Sequence, residues 1–154
     1  MDQLKRMIGM VAGLFCTLLV AGLCSFCFKM DLNWYISLNK PVFLVSGGWF
    51  SVFVTISYIS TILSISRLVE HKHIFPPFIF YSVLGVSCIM FVFSFFRLKI
   101  LLLALFFVSV ALTMSAVLLV RFIIKDFKSA LLYFPSFIFN LYAYLCALCI
   151  AMAN

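Results

Sequence analysis

The sequence predicts an all-α integral membrane protein, built as one bundle of five transmembrane helices. Its composition is the first reason, because 67% of the 154 residues are hydrophobic and only 10% are charged. A soluble domain carries roughly 25% charged residues, so lipid rather than water must surround most of this chain. The second reason is that the apolar residues fall into five stretches, each close to the roughly 20 residues that cross a bilayer as a helix.

Residues 1–154 are expected to form a single membrane domain, because only short connections separate the five apolar stretches. None of the stretches has an acidic or basic residue in its middle. Buried charges usually mark ion paths, proton relays or voltage sensors, so the sequence argues against a pump or channel of that kind. The predicted helices cover Met7–Phe28, Val45–Ser66, Pro76–Phe96, Ile100–Phe122 and Ala130–Ala153.

The first apolar stretch is interpreted as a retained helix. Lys5 and Arg6 resemble the basic start of a signal peptide, but the apolar run is longer and no A-x-A cleavage site closes it. Within it, Gly9 and Gly13 form a small-residue motif that lets another helix approach closely. The sequence favours a partner helix in the same chain, and a homodimer stays open.

The basic residues predict an orientation in the membrane. Seven of them lie on the N-terminal side of the bundle: Lys5, Arg6, Arg67, Lys72, Arg121, Lys125 and Lys128. Four lie on the other side: Lys29, Lys40, Arg97 and Lys99. The positive-inside rule therefore predicts a multi-pass protein with its N-terminus in the cytoplasm. Because the basic residues lie at helix ends and do not cluster, nucleic acid is not expected as a partner.

The first connection, Lys29–Leu44, is the longest and has an unusual composition. It contains Trp34, Tyr35, Lys40 and Pro41. Loops of this kind on a rigid scaffold often cover a binding site. The alternative is an anchor in the membrane interface, where the amphipathic rings of Trp and Tyr are enriched. The residues by themselves leave both interpretations open.

The cysteine pairs favour packing over metal binding. Cys24-x-x-Cys27 and Cys146-x-x-Cys149 have the spacing of zinc ligands. They lie inside apolar helices, however, where cysteine is mostly a small packing residue. No metal site is therefore predicted.

The residue patterns that could indicate catalysis are weaker than those that could indicate metal binding. His71 and His73 are typical of a solvated connection, although a pH-sensitive surface is the alternative. The acidic residues cannot form a catalytic pair within the membrane, because all four lie outside the predicted spans: Asp2, Asp31, Glu70 and Asp126. We predict no catalytic residue and no required cofactor.

Two blocks of residues form a pattern that covers nearly the whole chain. The specific block is Trp34-Tyr35-x-x-Leu38-x-Lys40-Pro41, followed by Phe50 and Thr55-x-x-Tyr58. The supporting residues are Phe95-Phe96, Ala130-Leu131-Leu132, Pro135, Ala143, Ile150 and Asn154. The pattern resembles the TspO/MBR family, which comprises the tryptophan-rich sensory proteins of bacteria and the mitochondrial translocator protein.

The chain departs from the family pattern mainly by losing tryptophan. Trp34 and Trp49 are its two indoles, and Trp49 lies off the pattern. Where the family has Trp, Pro-Pro, Trp, Asn, Trp, Tyr and Trp, this chain has Phe43, Val45-Ser46, Val54, Cys88, Phe91, Ser136 and Phe139. These replacements keep an apolar slot for a flat ring and are expected to remove hydrogen-bond donors.

The resemblance implies a five-helix bundle that binds porphyrins such as protoporphyrin IX, and in animals cholesterol, in a cavity capped by the first connection. Membrane lipid, a tetrapyrrole or a sterol-like molecule are the partners that it implies. The family's cavity positions correspond here to Trp34, Tyr35, Pro41, Phe50, Tyr58, Cys88, Phe91, Phe139 and Ala143.

The function that the resemblance implies is a receptor or carrier with a regulatory or transport role. Some bacterial members degrade porphyrin in light, with Trp residues of the second and fifth helices implicated. Those positions are Val54 and Phe139 here, and neither can replace an indole, so binding is expected rather than catalysis. The alternatives are a light-dependent porphyrin-degrading enzyme, or a structural or assembly protein that has lost ligand binding.

Overall fold

The computed structural model describes residues 2–27, 32–45, 47–70 and 75–154, and this part of the chain is helical without strands. Residues Phe93–Leu98 continue the fourth helix as a π-helical segment. The first connection, expected as a loop, contains the short second helix. The helices are α1 (Asp2–Cys27), α2 (Leu32–Ser37), α3 (Gly47–Glu70), α4 (Phe75–Val92), α5 (Leu101–Lys125) and α6 (Phe127–Ala153).

Four helical segments in the described ranges are long and apolar enough to cross a membrane: Gly48–Arg67, Ile79–Leu98, Leu101–Lys125 and Phe127–Ala153. The apolar part of α1, Gly13–Phe26, is shorter. Large apolar side chains such as Phe15, Leu102 and Met152 are exposed on the outside of the bundle. Lipid is the solvent that covers such a surface favourably. The chain is therefore an all-helical, multi-pass integral membrane protein.

The five long helices pack as a closed ring around a common interior. Helix α1 contacts α3 and α4, α3 contacts α6, and α5 lies between α4 and α6. Small residues allow the close approach of α1. A Cβ atom added at Gly85 would lie 3.0 Å from Val20 Cγ2, and one added at Gly13 would lie 3.6 Å from Ile65. Gly13 thus packs against a helix of the same chain, whereas Gly9 lies outside the residues whose packing is described.

The densest packing lies where α4, α5 and α6 meet. Tyr133 is completely buried, and its ring meets Phe122 edge-on at 5.3 Å and Tyr81 at 6.0 Å between centroids. Its hydroxyl lies 3.0 Å from Ser115 Oγ, so the one polar atom of this side chain has a partner. This cluster closes the interior of the ring on the side of α5.

Asp126 lies between α5 and α6 and connects the helices at this end of the bundle. Its carboxylate accepts hydrogen bonds from the backbone N–H groups of Lys128 and Ser129 at 3.1 and 3.2 Å, and from Arg67 Nε at 3.3 Å. It is therefore both the N-cap of α6 and a tie to α3. Burial raises the pKa of Asp126, but the hydrogen bonds from Ser129, Arg67 and Lys128 outweigh it, so the pKa lies below its ordinary value.

A tight reversal joins α4 to α5 at the opposite end. Lys99 adopts the left-handed conformation, with φ of 59°. Its N–H group and that of Ile100 both donate to the carbonyl oxygen of Ser94. A left-handed residue just after the last helical turn ends many helices. The reversal places α4 and α5 side by side and antiparallel.

Candidate ligand-binding cavity

A cavity of about 430 Å³ lies inside the ring of helices and is partly open to the outside. Small residues that face the interior leave this space free, among them Ala21, Gly85, Ala111 and Ala143. Ligand pockets in proteins typically measure about 300–1,000 Å³. The cavity is therefore large enough to hold much of an organic ligand.

Six of the nine predicted ligand-binding residues line this cavity: Phe50, Tyr58, Cys88, Phe91, Phe139 and Ala143. They come from α3, α4 and α6, and the ring of helices brings them together. The three residues of the first connection, Trp34, Tyr35 and Pro41, do not belong to its lining. Contact of any of the nine with a ligand stays a prediction.

Aromatic rings form one wall of the cavity. The rings of Phe50 and Phe139 lie 5.6 Å apart, tilted against each other. Val54, which stands at a tryptophan position of the family pattern, lines the cavity as Phe139 does. Offset aromatic faces of this kind suit a flat, apolar ligand.

Residues of the first connection and of the π-helical segment together form what we call the aromatic cap, made of Trp34, Tyr35, Leu38, Phe95 and Phe96. Trp34 meets Phe95 edge-on at 5.5 Å, Phe95 meets Phe96 at 4.8 Å, and Tyr35 lies 6.4 Å from Phe96. Leu38 and Phe95 are buried. The cap is thus a packed cluster rather than an open loop.

Phe91 connects the cap to the cavity. Phe91 lines the cavity, and its ring lies 5.8 Å from that of Phe95. Two cations lie over the cap. Lys40 Nζ is 4.0 Å from the centre of the Tyr35 ring, and Lys99 Nζ is 5.8 Å from that of Trp34. The cap therefore connects the aromatic rings that lead to the cavity with the positive charges of Lys40 and Lys99.

Hydrogen bonds fix the cap to α6. The N–H of Asn39 donates to Asn154 Oδ1 at 2.9 Å, and Asn154 Nδ2 donates back to the carbonyl oxygen of Asn39 at 3.2 Å. Further along, the N–H of Val45 donates to Tyr142 Oη at 3.0 Å. Asn154, the late Asn of the family pattern, thus serves to hold the connection on the bundle.

A polar wall that sequence reasoning missed lies on the same two helices as the aromatic one, α3 and α6. We call Ser57, Thr61, Ser136 and Asn140 the hydroxyl wall, and all four line the cavity. Ser136 Oγ lies 3.0 Å from both Ser57 Oγ and Thr61 Oγ1. Asn140 Nδ2 donates to the carbonyl oxygen of Ser136 at 3.0 Å and to Ser115 Oγ at 3.3 Å. The chain has therefore not only lost the N–H groups of the family's tryptophans. It also has hydroxyl groups and an amide near the positions of those tryptophans.

A signal for this wall is present in the sequence. Ser57, Ser60, Thr61 and Ser64 recur three or four residues apart, so they share one face of α3. Such residues hydrogen-bond across helix interfaces in membranes. Ser60 donates to the carbonyl oxygen of Leu132, and Ser64 Oγ lies 3.0 Å from Tyr81 Oη. The stripe therefore marks the face of α3 that turns to the interior.

The cavity is electrically neutral. Its lining contains no Asp, Glu, Lys, Arg or His among the described residues. Tyr58, Cys24 and Cys88, from α3, α1 and α4, also line it and carry only neutral polar groups. An ionised ligand group would find no partner in this lining, and burying it unpaired would be costly.

A closed ring of membrane helices around a mostly apolar cavity defines a helical membrane protein with an internal pocket. The sequence model of the TspO/MBR family matches residues 10–152, nearly the whole chain. The chain therefore belongs to the TspO/MBR family. No curated protein sequence matches it significantly. Family membership suggests a ligand-binding, transport or sensory role in a membrane.

Proposed function

We propose that this protein is a membrane receptor or carrier that binds a flat apolar ligand, a porphyrin, in the cavity between its helices. The observation that carries the proposal is the cavity of about 430 Å³ whose lining includes the rings of Phe50, Phe91 and Phe139. The proposed output is regulation or transport, since the described lining supplies apolar and neutral polar contacts for a ligand.

The carboxylates of a porphyrin would have to lie outside the neutral lining. In this proposal they point towards the aromatic cap, where Lys40 and Lys99 lie over the rings of Tyr35 and Trp34. The apolar part of the macrocycle then lies against the rings of Phe50 and Phe139. A sterol-like ligand, which lacks carboxylates, would use the same slot without the two lysines.

Tryptophan fluorescence tests the proposal in detergent. Trp49 is exposed on the outside of α3, so Trp49→Phe leaves Trp34 as the single indole, two rings away from the cavity. Protoporphyrin IX is expected to quench Trp34 saturably, with about one ligand per chain. Absence of saturable quenching at tens of micromolar would overturn the proposal.

A matched pair of variants locates the ligand. Val54 lines the cavity, whereas Val52, two residues away on α3, is exposed to lipid. Val54→Phe adds a ring to the slot and is expected to change the porphyrin affinity about fivefold or more, because the added bulk alters the packing around a rigid ligand. Val52→Phe adds the same bulk outside and is expected to leave the affinity unchanged.

The membrane topology is part of the proposal. We propose five spans, with α1 as the first, and the N-terminus in the cytoplasm because the bundle end that carries Arg67, Arg121 and Lys125 is the more basic one. A cysteine introduced at Lys128 should then react with an impermeant thiol reagent from the cytoplasmic side, in a background that lacks the native cysteines.

A homodimer through lipid-facing surfaces also stays a prediction, to be checked by the mass of the protein–detergent complex.

A further inference from the structure

The hydrogen-bond directions in the hydroxyl wall follow from its partners. Thr61 Oγ1 donates to the carbonyl oxygen of Ser57 at 2.9 Å, and a carbonyl can only accept. Because Thr61 has one hydroxyl proton, Ser136 must be the donor in the 3.0 Å contact between them. Ser136 then has no second proton, so Ser57 is the donor to Ser136. Every proton of this trio is used within the protein.

What remains available to a ligand is acceptor capacity. Ser57 Oγ receives no hydrogen bond from the described residues, and Thr61 Oγ1 receives one, from Ser136. Asn140 must point its NH₂ group at the carbonyl oxygen of Ser136, so its own Oδ1 is left as a further acceptor without a partner in the described ranges. The wall can therefore accept hydrogen bonds from a ligand and has no proton to give.

The wall lies deep in the cavity, away from the aromatic cap. Phe50 lies near the cap end of α3, and Ser57 and Thr61 follow it by about 10 and 16 Å along the helix axis. On α6, which runs the other way, Ser136 and Asn140 precede Ala143. A flat ligand whose charged edge faces the cap would thus present its opposite edge to these acceptors.

We infer that the hydroxyl wall is a specificity site for a neutral hydrogen-bond donor, a hydroxyl or N–H group, on the ligand edge opposite the carboxylates. The inference rests on the proposed function, since it concerns the same cavity. An ammonium group would lack a counter-charge in this lining, and a carboxylate would meet only acceptors. A neutral donor satisfies the wall without burying charge.

Three related porphyrins test this inference. Haematoporphyrin carries hydroxyethyl groups where protoporphyrin IX carries vinyl groups, on the edge opposite its carboxylates, and its di-O-methyl ether keeps the oxygens without the donors. Haematoporphyrin is expected to bind about tenfold more tightly than the ether, as one or two net hydrogen bonds would give. Affinities are measured by quenching of Trp34 in the Trp49→Phe chain.

Substitutions in the hydroxyl wall test whether its residues cause the preference for haematoporphyrin. Ser57→Ala with Thr61→Val removes two acceptors at nearly constant volume, and the preference for haematoporphyrin over the ether is expected to fall to about twofold or less. Asn140→Leu is an independent second variant. Ser60→Ala is the matched control, because Ser60 is buried on the same helix but does not line the cavity, so the preference should persist.

The outcomes separate the two proposals. Equal binding of haematoporphyrin and its ether would overturn the inference and leave porphyrin binding intact. Failure of all three porphyrins to bind would overturn the proposed function and the inference with it. A preference that survives both Ser57→Ala with Thr61→Val and Asn140→Leu would place the accepting group elsewhere in the protein and would also overturn the inference.

Discussion

The aromatic cap and the cavity are built from similar residues and are packed in opposite ways. In the cap, Phe95 is only 5% exposed and touches aromatic rings on three sides. In the cavity, Phe139 has a ring partner in Phe50 and faces open space elsewhere. The specific block of the family pattern thus builds a solid end to the bundle, whereas the cavity is lined both by matching residues, such as Phe50 and Tyr58, and by departures, such as Val54 and Phe139.

Truncation of one phenylalanine in each region should give the largest difference. Phe95→Ala removes a fully packed ring and is expected to lower the free energy of unfolding by about 3 kcal/mol. Phe139→Ala enlarges an existing cavity and is expected to cost about 1 kcal/mol, because fewer contacts are lost. Unfolding in mixed detergent micelles, followed by circular dichroism, measures both. Equal losses would mean that the cavity is filled or collapsed in the folded protein.

Two glycines test how tightly α1 closes the cavity. Alanine at Gly85 would put its Cβ 3.0 Å from Val20 Cγ2, whereas alanine at Gly13 would find ordinary contact at 3.6 Å from Ile65. Gly85→Ala is therefore expected to be about 1 kcal/mol less stable than Gly13→Ala. The same unfolding assay applies, and Val20→Ala should rescue Gly85→Ala. A Gly85→Ala chain as stable as Gly13→Ala would show that α1 can move away from α4.

The Asp126 end of the bundle should respond to pH, and the cap should not. The pKa of Asp126 is lower in the folded chain than its ordinary value, so its contribution is present at neutral pH and is lost as the pH falls below about 4. Asp126→Ala should cost about 1 kcal/mol at pH 7 through the lost N-cap. The difference from the native chain should shrink at pH 3. A difference that stays constant with pH would assign the effect to packing and not to the charge.

Much of the fold could be predicted because membrane-spanning helices are recognisable in a sequence from their length and hydropathy. The helices that follow the first connection lie close to the predicted stretches, and the short turn at Lys99 places α4 beside α5. Helix α1, Asp2–Cys27, covers nearly the whole of the first predicted stretch. Helix α2 was missed because six residues that include Trp34 and Tyr35 carry no periodic pattern long enough to indicate a helix.

The candidate site was predicted less completely. The predicted ligand-binding positions on α3, α4 and α6 meet at the cavity because the helices form a ring around it. Residues such as Tyr58 and Phe91 could therefore be predicted one by one from the family pattern. The hydroxyl wall could not be carried over, since its polar groups come from positions such as Ser57 and Thr61 outside the motif. Its role depends on which way each hydroxyl proton points, and that is decided by neighbours on another helix.

The neutral lining has an electrical consequence. Moving one elementary charge through the whole membrane field changes the free energy by about 2.3 kcal/mol per 100 mV. Because the described lining holds no charged side chain, rearrangement of the cavity walls around a ligand would carry no gating charge. Any dependence of ligand uptake on membrane potential would then come from the ligand's own charge, and an uncharged ligand would be taken up alike in energised and de-energised membranes.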